Sequence, residues 1–85
     1  MPKVQIYTTP MCPYCHAAKA MFGQKGVSYE EITVIDPALR ADMTQRAQGR
    51  RTVPQIFIGE THVGGYEDMA ALERNGRLDP LLNTA

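Results

Sequence analysis

The chain has 85 residues, 44% of them hydrophobic and 21% charged, with nine Lys or Arg set against nine Asp or Glu. That length suits one small domain, and the balanced charge excludes a protein that binds nucleic acid through bulk basicity or carries a charged tail. No stretch approaches the roughly 20 apolar residues of a membrane span, and the opening MPKVQIYTT lacks the apolar run and cleavage site of a secretory signal. A cytoplasmic location without membrane contact is therefore expected.

Taken in chain order, KVQIYT alternates polar and β-forming residues and predicts a strand from Lys3 to Thr8. Pro10 ends it. Pro13 suits the first turn of a helix, where a missing N–H costs nothing. In YCHAAKAMFGQKG, Cys15, Ala18, Met21 and Phe22 share one helical face; Gly23 weakens the end and Gly26 is the expected stop. VSYEEITVI is a second strand. Strand, helix and strand in this succession form a βαβ unit, which requires a parallel pair and a right-handed crossover.

Asp36 and Pro37 read as the N-cap and first residue of a second helix. ALRADMTQRAQ follows, with Leu39 and Met43 at helical spacing, and Gly49 closes it. VPQIFIGETHVGG predicts a β-hairpin turning at Gly59-Glu60. YEDMAALERNG predicts a third helix, with Met69, Leu72 and Glu73 on its 3.6-residue period and Gly76 as the stop. The apolar tail LDPLLNTA can add a last turn. The sequence shows no repeats, linkers or low-complexity segments.

Both cysteines, Cys12 and Cys15, lie in YTTPMCPYCHAAKAMF, with His16 directly behind them. C-x-x-C-H is a c-type haem attachment pattern, C-x-x-C is half of a zinc site, and C-x-x-C near a βαβ unit is a thiol–disulfide redox motif. Haem attachment goes with export and a distal axial ligand, whereas here the motif opens a helix straight after a strand. Zinc needs four ligands, and Cys12, Cys15, His16 and His62 are the whole supply of Cys and His. A structural cysteine pair is a further alternative, and His16 alone reads as a solvated polar residue. The redox reading has the clearest physics. With Cys12 at the N-cap, its sulfur meets the N–H groups of Tyr14 and Cys15 and the positive end of the helix dipole. Cysteines so placed have pKa values lowered to about 3.5–7.5. Spacing of i to i+3 on a helical turn brings the Cα atoms to roughly 5–6 Å, inside disulfide range. Cys12 is then the attacking thiol and Cys15 the resolving one.

With CPYCHAAK, then RTVPQIFI, then GG, then YED opening a helix, the chain resembles a glutaredoxin of the dithiol C-P-Y-C type over essentially its whole length. The resemblance implies an α/β, thioredoxin-like fold, a four-stranded mixed sheet with helices on both faces, forming one domain over residues 1–85. It implies an oxidoreductase that reduces protein–glutathione mixed disulfides and protein disulfides. Glutathione is then the reducing co-substrate, with no permanently bound cofactor and no metal. The expected role is electron transport in cell redox homeostasis, and the expected partners are glutathione and glutathionylated or disulfide-containing proteins, met by a monomer.

Carried onto this chain, Cys12 resembles the family's nucleophile and Cys15 its resolving thiol. Tyr14 resembles the aromatic wall beside the glutathione sulfur. Thr52, Val53 and Pro54 resemble the loop whose cis-proline faces the active cysteine. A bend there leaves the Val53 N–H and C=O free to pair with an extended peptide as an added strand. Gly64-Gly65 allows close backbone approach to the ligand. Asp68 resembles the carboxylate that holds the γ-glutamyl amino group, while the Glu67 and Asp68 N–H groups at the helix start hold its α-carboxylate. One departure stands out. Many dithiol glutaredoxins carry a lysine shortly before the first cysteine, where this chain has Thr8-Thr9-Pro10-Met11. Arg40 and Arg51 are candidate substitutes. Two other functions remain open at this level: a redoxin of this shape reduced by thioredoxin reductase, and a module in which two chains hold an iron–sulfur cluster through Cys12 and glutathione.

Overall fold

Val4–Thr8 forms the strand β1, and the chain then runs α1 (Pro13–Gln24), β2 (Glu30–Thr33), α2 (Pro37–Arg46), β3 (Gln55–Ile58), β4 (Thr61–Gly64), α3 (Tyr66–Arg74) and α4 (Leu78–Leu82). This is a computed structural model, and it describes residues 2–83. The expected span of 1–85 thus includes Met1, Thr84 and Ala85, which lie outside the described residues. The sheet order is β2-β1-β3-β4. β1 pairs with β2 in parallel and with β3 antiparallel, and β3 and β4 form an antiparallel hairpin. The sheet is therefore mixed, and the βαβ unit read from the sequence is its first half.

The period-2 alternation of the two inner strands sorts the core onto two faces. Val4, Ile6, Ile56 and Ile58 point one way and pack against Ala18 and Phe22 of α1, Met69 of α3, and Leu78 and Leu82 of α4. Tyr7 and Phe57 point the other way and pack against Val34 and against Met43 and Ala47 on and just after α2. Helices thus cover both faces. Each fully buried side chain of the size of Phe22 or Met69 contributes roughly 1.5–3 kcal/mol.

Helix starts follow the proline signals. Cys12 caps α1 and Asp36 caps α2, the latter accepting a 2.8 Å bond from the Ala38 N–H, and each cap is followed by proline. Two boundaries and two side-chain placements differ from expectation. β2 covers only Glu30–Thr33, because it is an edge strand paired to four residues of β1. α2 stops at Arg46, and the chain turns through positive φ at Gln48 and Gly49. Leu39 is exposed although it has helical spacing, since α2 reaches the core through Met43 and Ala47. Glu73 of α3, placed on that helix's periodic face, instead pairs with Lys25 at 2.8 Å, and Lys25 also holds Asp79 of α4 at 2.8 Å.

A polar tie joins β2 to α1 beneath the end of β1. The buried Thr8 hydroxyl donates to Glu31 Oε2 at 2.7 Å, and Lys19 Nζ reaches the same oxygen at 2.9 Å. The Thr8 hydrogen bond, then Lys19, holds the Glu31 carboxyl below its ordinary value of 4.5. A folded pKa that is lowered gives stability that is complete above the ordinary value and is lost as pH falls through the folded one. Thr8→Val removes the hydroxyl at nearly constant shape. With allowance for the exposure of Glu31, it should cost about 1 kcal/mol at neutral pH, or about 4–8 °C in Tm. Thermal melts across the acid range should show the gap between the two proteins narrowing as pH falls below the ordinary glutamate value.

Candidate active site

Cys12 sits at the N-cap of α1 in extended backbone (φ −134°, ψ 102°), with Pro13 as the first helical residue. The Cys15 N–H donates to Cys12 Sγ at 3.1 Å. The sequence reading placed the Tyr14 N–H on the same sulfur; among the described residues only the Cys15 N–H reaches it. An N-cap side chain accepts from the second or the third helical N–H, and here it takes the third. Cys12 and Cys15 are joined as a disulfide with Cα atoms 5.2 Å apart. Cys15 is fully buried and Cys12 is 7% exposed, so the pair meets solvent through Cys12.

Facing Cys12 is the segment before β3. The Val53-Pro54 peptide bond is cis, and the Val53 carbonyl oxygen lies 3.7 Å from Cys12 Sγ. Beside this contact runs an open groove of about 280 Å³. One wall is Tyr14, from α1. The floor is Thr52, Val53 and Pro54. The far end is Gly65, Glu67 and Asp68, where α3 begins. All seven expected glutathione-binding residues therefore meet in one groove, although they come from three separate parts of the chain.

The α3 end is built around Asp68. Its Oδ2 accepts the Gly65 N–H at 2.8 Å and the Arg50 guanidinium at 3.0 Å, while Oδ1 has no partner among the described residues. The Gly65 hydrogen bond, with Arg50 adding to it, holds the Asp68 carboxyl below its ordinary value, so it is ionised at neutral pH. Gly64 has φ +111°, and a Cβ there would fall 2.5 Å from both Asp68 Oδ2 and Arg50 Nη1. A side chain at Gly64 would displace the carboxylate and its partner. The first N–H groups of α3, at Tyr66, Glu67 and Asp68, begin a helix whose positive end faces the groove.

Two further residues line the groove. Arg50, and not its neighbour Arg51, reaches Asp68. Tyr66, part of the GGYED stretch but without a role of its own in the sequence reading, packs beside Tyr14 with ring centroids 6.2 Å apart and completes an aromatic rim. The cue for Tyr66 was available, since it directly follows the two glycines. Arg40 and Arg51 stand elsewhere. Arg40 donates to the Arg51 carbonyl oxygen at 2.9 Å, and both line a separate depression beside α2. In the segment just before Cys12, Met11 is 91% exposed. His16 is exposed on α1, and His62 is engaged with Gln55 across the hairpin, so the four Cys and His residues do not converge. No helix of the described residues is long and apolar enough to cross a membrane.

Comparison with known proteins agrees with this geometry. A family model described as glutaredoxin matches residues 4–63. A glutaredoxin of Pseudomonas aeruginosa is 56% identical over 84 residues, covering 98% of this chain and 99% of the relative. Among solved structures, the glutaredoxin of Brucella melitensis superposes with a TM-score of 0.87 at 54% identity, over 99% of this chain and 91% of that one. A buckwheat glutaredoxin–glutathione complex superposes with a TM-score of 0.86 at 33% identity, over 95% of this chain and 76% of that one. With the thioredoxin-like sheet and a cysteine pair at the start of α1, the chain belongs to the glutaredoxin family and is a glutathione-dependent thiol–disulfide oxidoreductase.

Proposed function

We propose that glutathione lies along the groove between Tyr14 and α3, with its sulfur at Cys12, and that this residue set carries the reaction. The observation that supports it most is the meeting of Tyr14, the Thr52–Pro54 segment and the Gly65–Asp68 helix start beside the disulfide. An extended tripeptide would pair its backbone with Val53 as a short added strand. Its γ-glutamyl carboxylate would meet the α3 N-terminus, and its amino group the free Oδ1 of Asp68. The solved glutathione complex of the buckwheat relative supports this choice of ligand.

In this reading the reduced Cys12 thiolate attacks the glutathione sulfur of a protein–glutathione mixed disulfide. The Cys12–glutathione S–S bond forms as the original bond breaks, and the protein thiol leaves and takes up a proton. A second glutathione thiolate then attacks the bound glutathione sulfur, releasing glutathione disulfide and regenerating Cys12. One free glutathione is thus oxidised for each protein thiol released, the other half of the glutathione disulfide coming from the substrate. With a protein disulfide, Cys12 forms a mixed disulfide with the substrate and Cys15 resolves it. The product is the Cys12–Cys15 bond seen here, which glutathione reduces in turn. We place this activity in the cytoplasm, in a monomer working on glutathionylated and disulfide-containing proteins without a resident cofactor.

The roles of the two thiols separate in a coupled assay with glutathione, glutathione reductase and NADPH. Cys12→Ser should abolish reduction of every substrate. Cys15→Ser should retain reduction of a glutathionylated peptide and lose reduction of a protein disulfide. Turnover with thioredoxin reductase in place of glutathione and its reductase would point to the other source of electrons.

Asp68→Ala should weaken use of glutathione by about tenfold or more, since a hydrogen bond to a charged group is worth roughly 1.5–3 kcal/mol. Melting should change little, because Asp68 is half exposed and its partner Arg50 is free to solvate. A glutathione KM equal to that of the parent protein would return Asp68 to a structural role at the helix start.

Restoring the lysine common among relatives gives a third test. Thr9→Lys would set an ammonium about 6–8 Å from the Cys12 sulfur, worth roughly 0.5–1.4 kcal/mol at an effective dielectric of about 40–80. A cation favours the thiolate, so the Cys12 pKa should fall by about half to one unit. The shift should shrink in high salt. Ultraviolet titration of the thiolate on a Cys15→Ser background measures it, and coincident curves would show that the helix start already supplies what the lysine would add.

A further inference from the structure

His62 lies outside the groove, yet it is wired to the groove floor. Register sets His62 of β4 directly opposite Phe57 of β3, and its ring stacks on Phe57 with centroids 4.8 Å apart and planes 20° apart. From that position His62 Nε2 is 2.7 Å from Gln55 Oε1. Gln55 is fully buried, and its Nε2 donates to the Thr52 carbonyl oxygen at 3.0 Å and to Thr52 Oγ1 at 3.2 Å. Both amide hydrogens of Gln55 are thus used on Thr52. Its oxygen can only accept, so the imidazole must carry a proton on Nε2 and donate it.

The consequence reaches the site through one peptide plane. The Thr52 C=O and the Val53 N–H belong to the same planar trans unit and point in opposite directions. Holding the C=O inward on Gln55 turns the Val53 N–H outward, on the segment that floors the groove. We propose that His62 is a positioning residue for glutathione: through Gln55 it fixes the orientation of the Thr52–Val53 peptide with which the ligand backbone pairs. This rests on the reading that glutathione occupies the groove. Burial, then the charge of Arg50, holds the His62 ring below its ordinary value, which keeps it neutral at neutral pH. Protonating the ring leaves the same Nε2–H donor in place, so the device is a brace and not a pH switch.

The test compares His62→Phe, His62→Gln and Asp68→Ala, with a glutathionylated peptide as substrate and glutathione as the donor. His62→Phe keeps a ring against Phe57 and leaves the buried Gln55 oxygen without a donor. It should raise KM about fivefold, equivalent to about 1 kcal/mol at 1.4 kcal/mol per tenfold, with little change in kcat. His62→Gln, which can donate an amide N–H, should recover most of the loss. If Asp68→Ala raises KM while His62→Phe does not, the positioning role is overturned and the groove reading stands. If neither variant moves KM, the groove reading falls and takes the proposal with it. A rise in His62→Phe that His62→Gln fails to recover would assign the effect to lost packing, against the proposal. Should His62→Phe not fold, nitrogen NMR of the unaltered protein decides: a ring proton on Nε2 is required, and one on Nδ1 overturns the proposal.

Discussion

The antiparallel pairing of β1 with β3 is the constraint on which the site depends. Because Tyr7 lies opposite Gln55, the chain leaving β1 toward Cys12 emerges beside the chain entering β3 from Pro54. The β3–β4 hairpin then sets Gly64 opposite Ile56, so the start of α3 arrives at the same end of the sheet. Three segments from different parts of the chain are brought side by side by this backbone pairing. A parallel arrangement of β1 and β3 would send the Thr52–Pro54 segment to the opposite end of the sheet and leave Cys12 without a facing loop. The buried residues Ile6, Phe22, Ile56 and Met69 hold this arrangement from below, so packing in the larger core also fixes the separation of α1 from α3.

What converges at that end is mostly backbone polarity. Two helix N-termini, those of α1 and α3, both begin at the groove, and each presents N–H groups that no residue of its own helix can satisfy. One end favours a thiolate on Cys12, and the other favours a carboxylate on a ligand. Few charged side chains are needed as a result. Asp68 is the carboxylate at the center of the α3 end, and it is set by its own helix start through Gly65 and steadied by Arg50. The same polarity bears on the absence of a lysine near Thr9. An α1 start that presents the Cys15 N–H to the sulfur supplies part of the stabilisation that a nearby cation would give.

The sequence discloses the parts of this design that depend on local chemistry. Prolines at positions 13 and 37 mark the helix starts, glycines at 26 and 76 mark the stops, and both of these adopt positive φ. The cysteine spacing and the cap position follow from the same local rules. The choice between Arg50 and Arg51 does not. The two are adjacent in a loop, and the turn through Gln48 and Gly49 decides which guanidinium faces Asp68. That turn has no signature beyond a single glycine. Tyr66 follows the two glycines directly, and what the sequence does not disclose is that Tyr14 stands across from it.

The link between His62 and Gln55 shows where sequence periodicity fails altogether. In a regular hairpin the partner of each residue can be counted outward from the turn. Here Ile58 opposes Thr61 and Phe57 opposes His62, but Ile56 opposes Gly64, so a bulge at Val63 breaks the count. The extra residue lets His62 stay on the Phe57 face while the two glycines still reach the groove. Without the bulge, the strand would arrive one residue out of phase, and either the His62 stack or the Gly64 approach to Asp68 would be lost. The irregularity in β4 therefore reconciles two demands on one short strand: a brace for the Thr52 carbonyl on one side of the sheet, and a close glycine turn into α3 at its end.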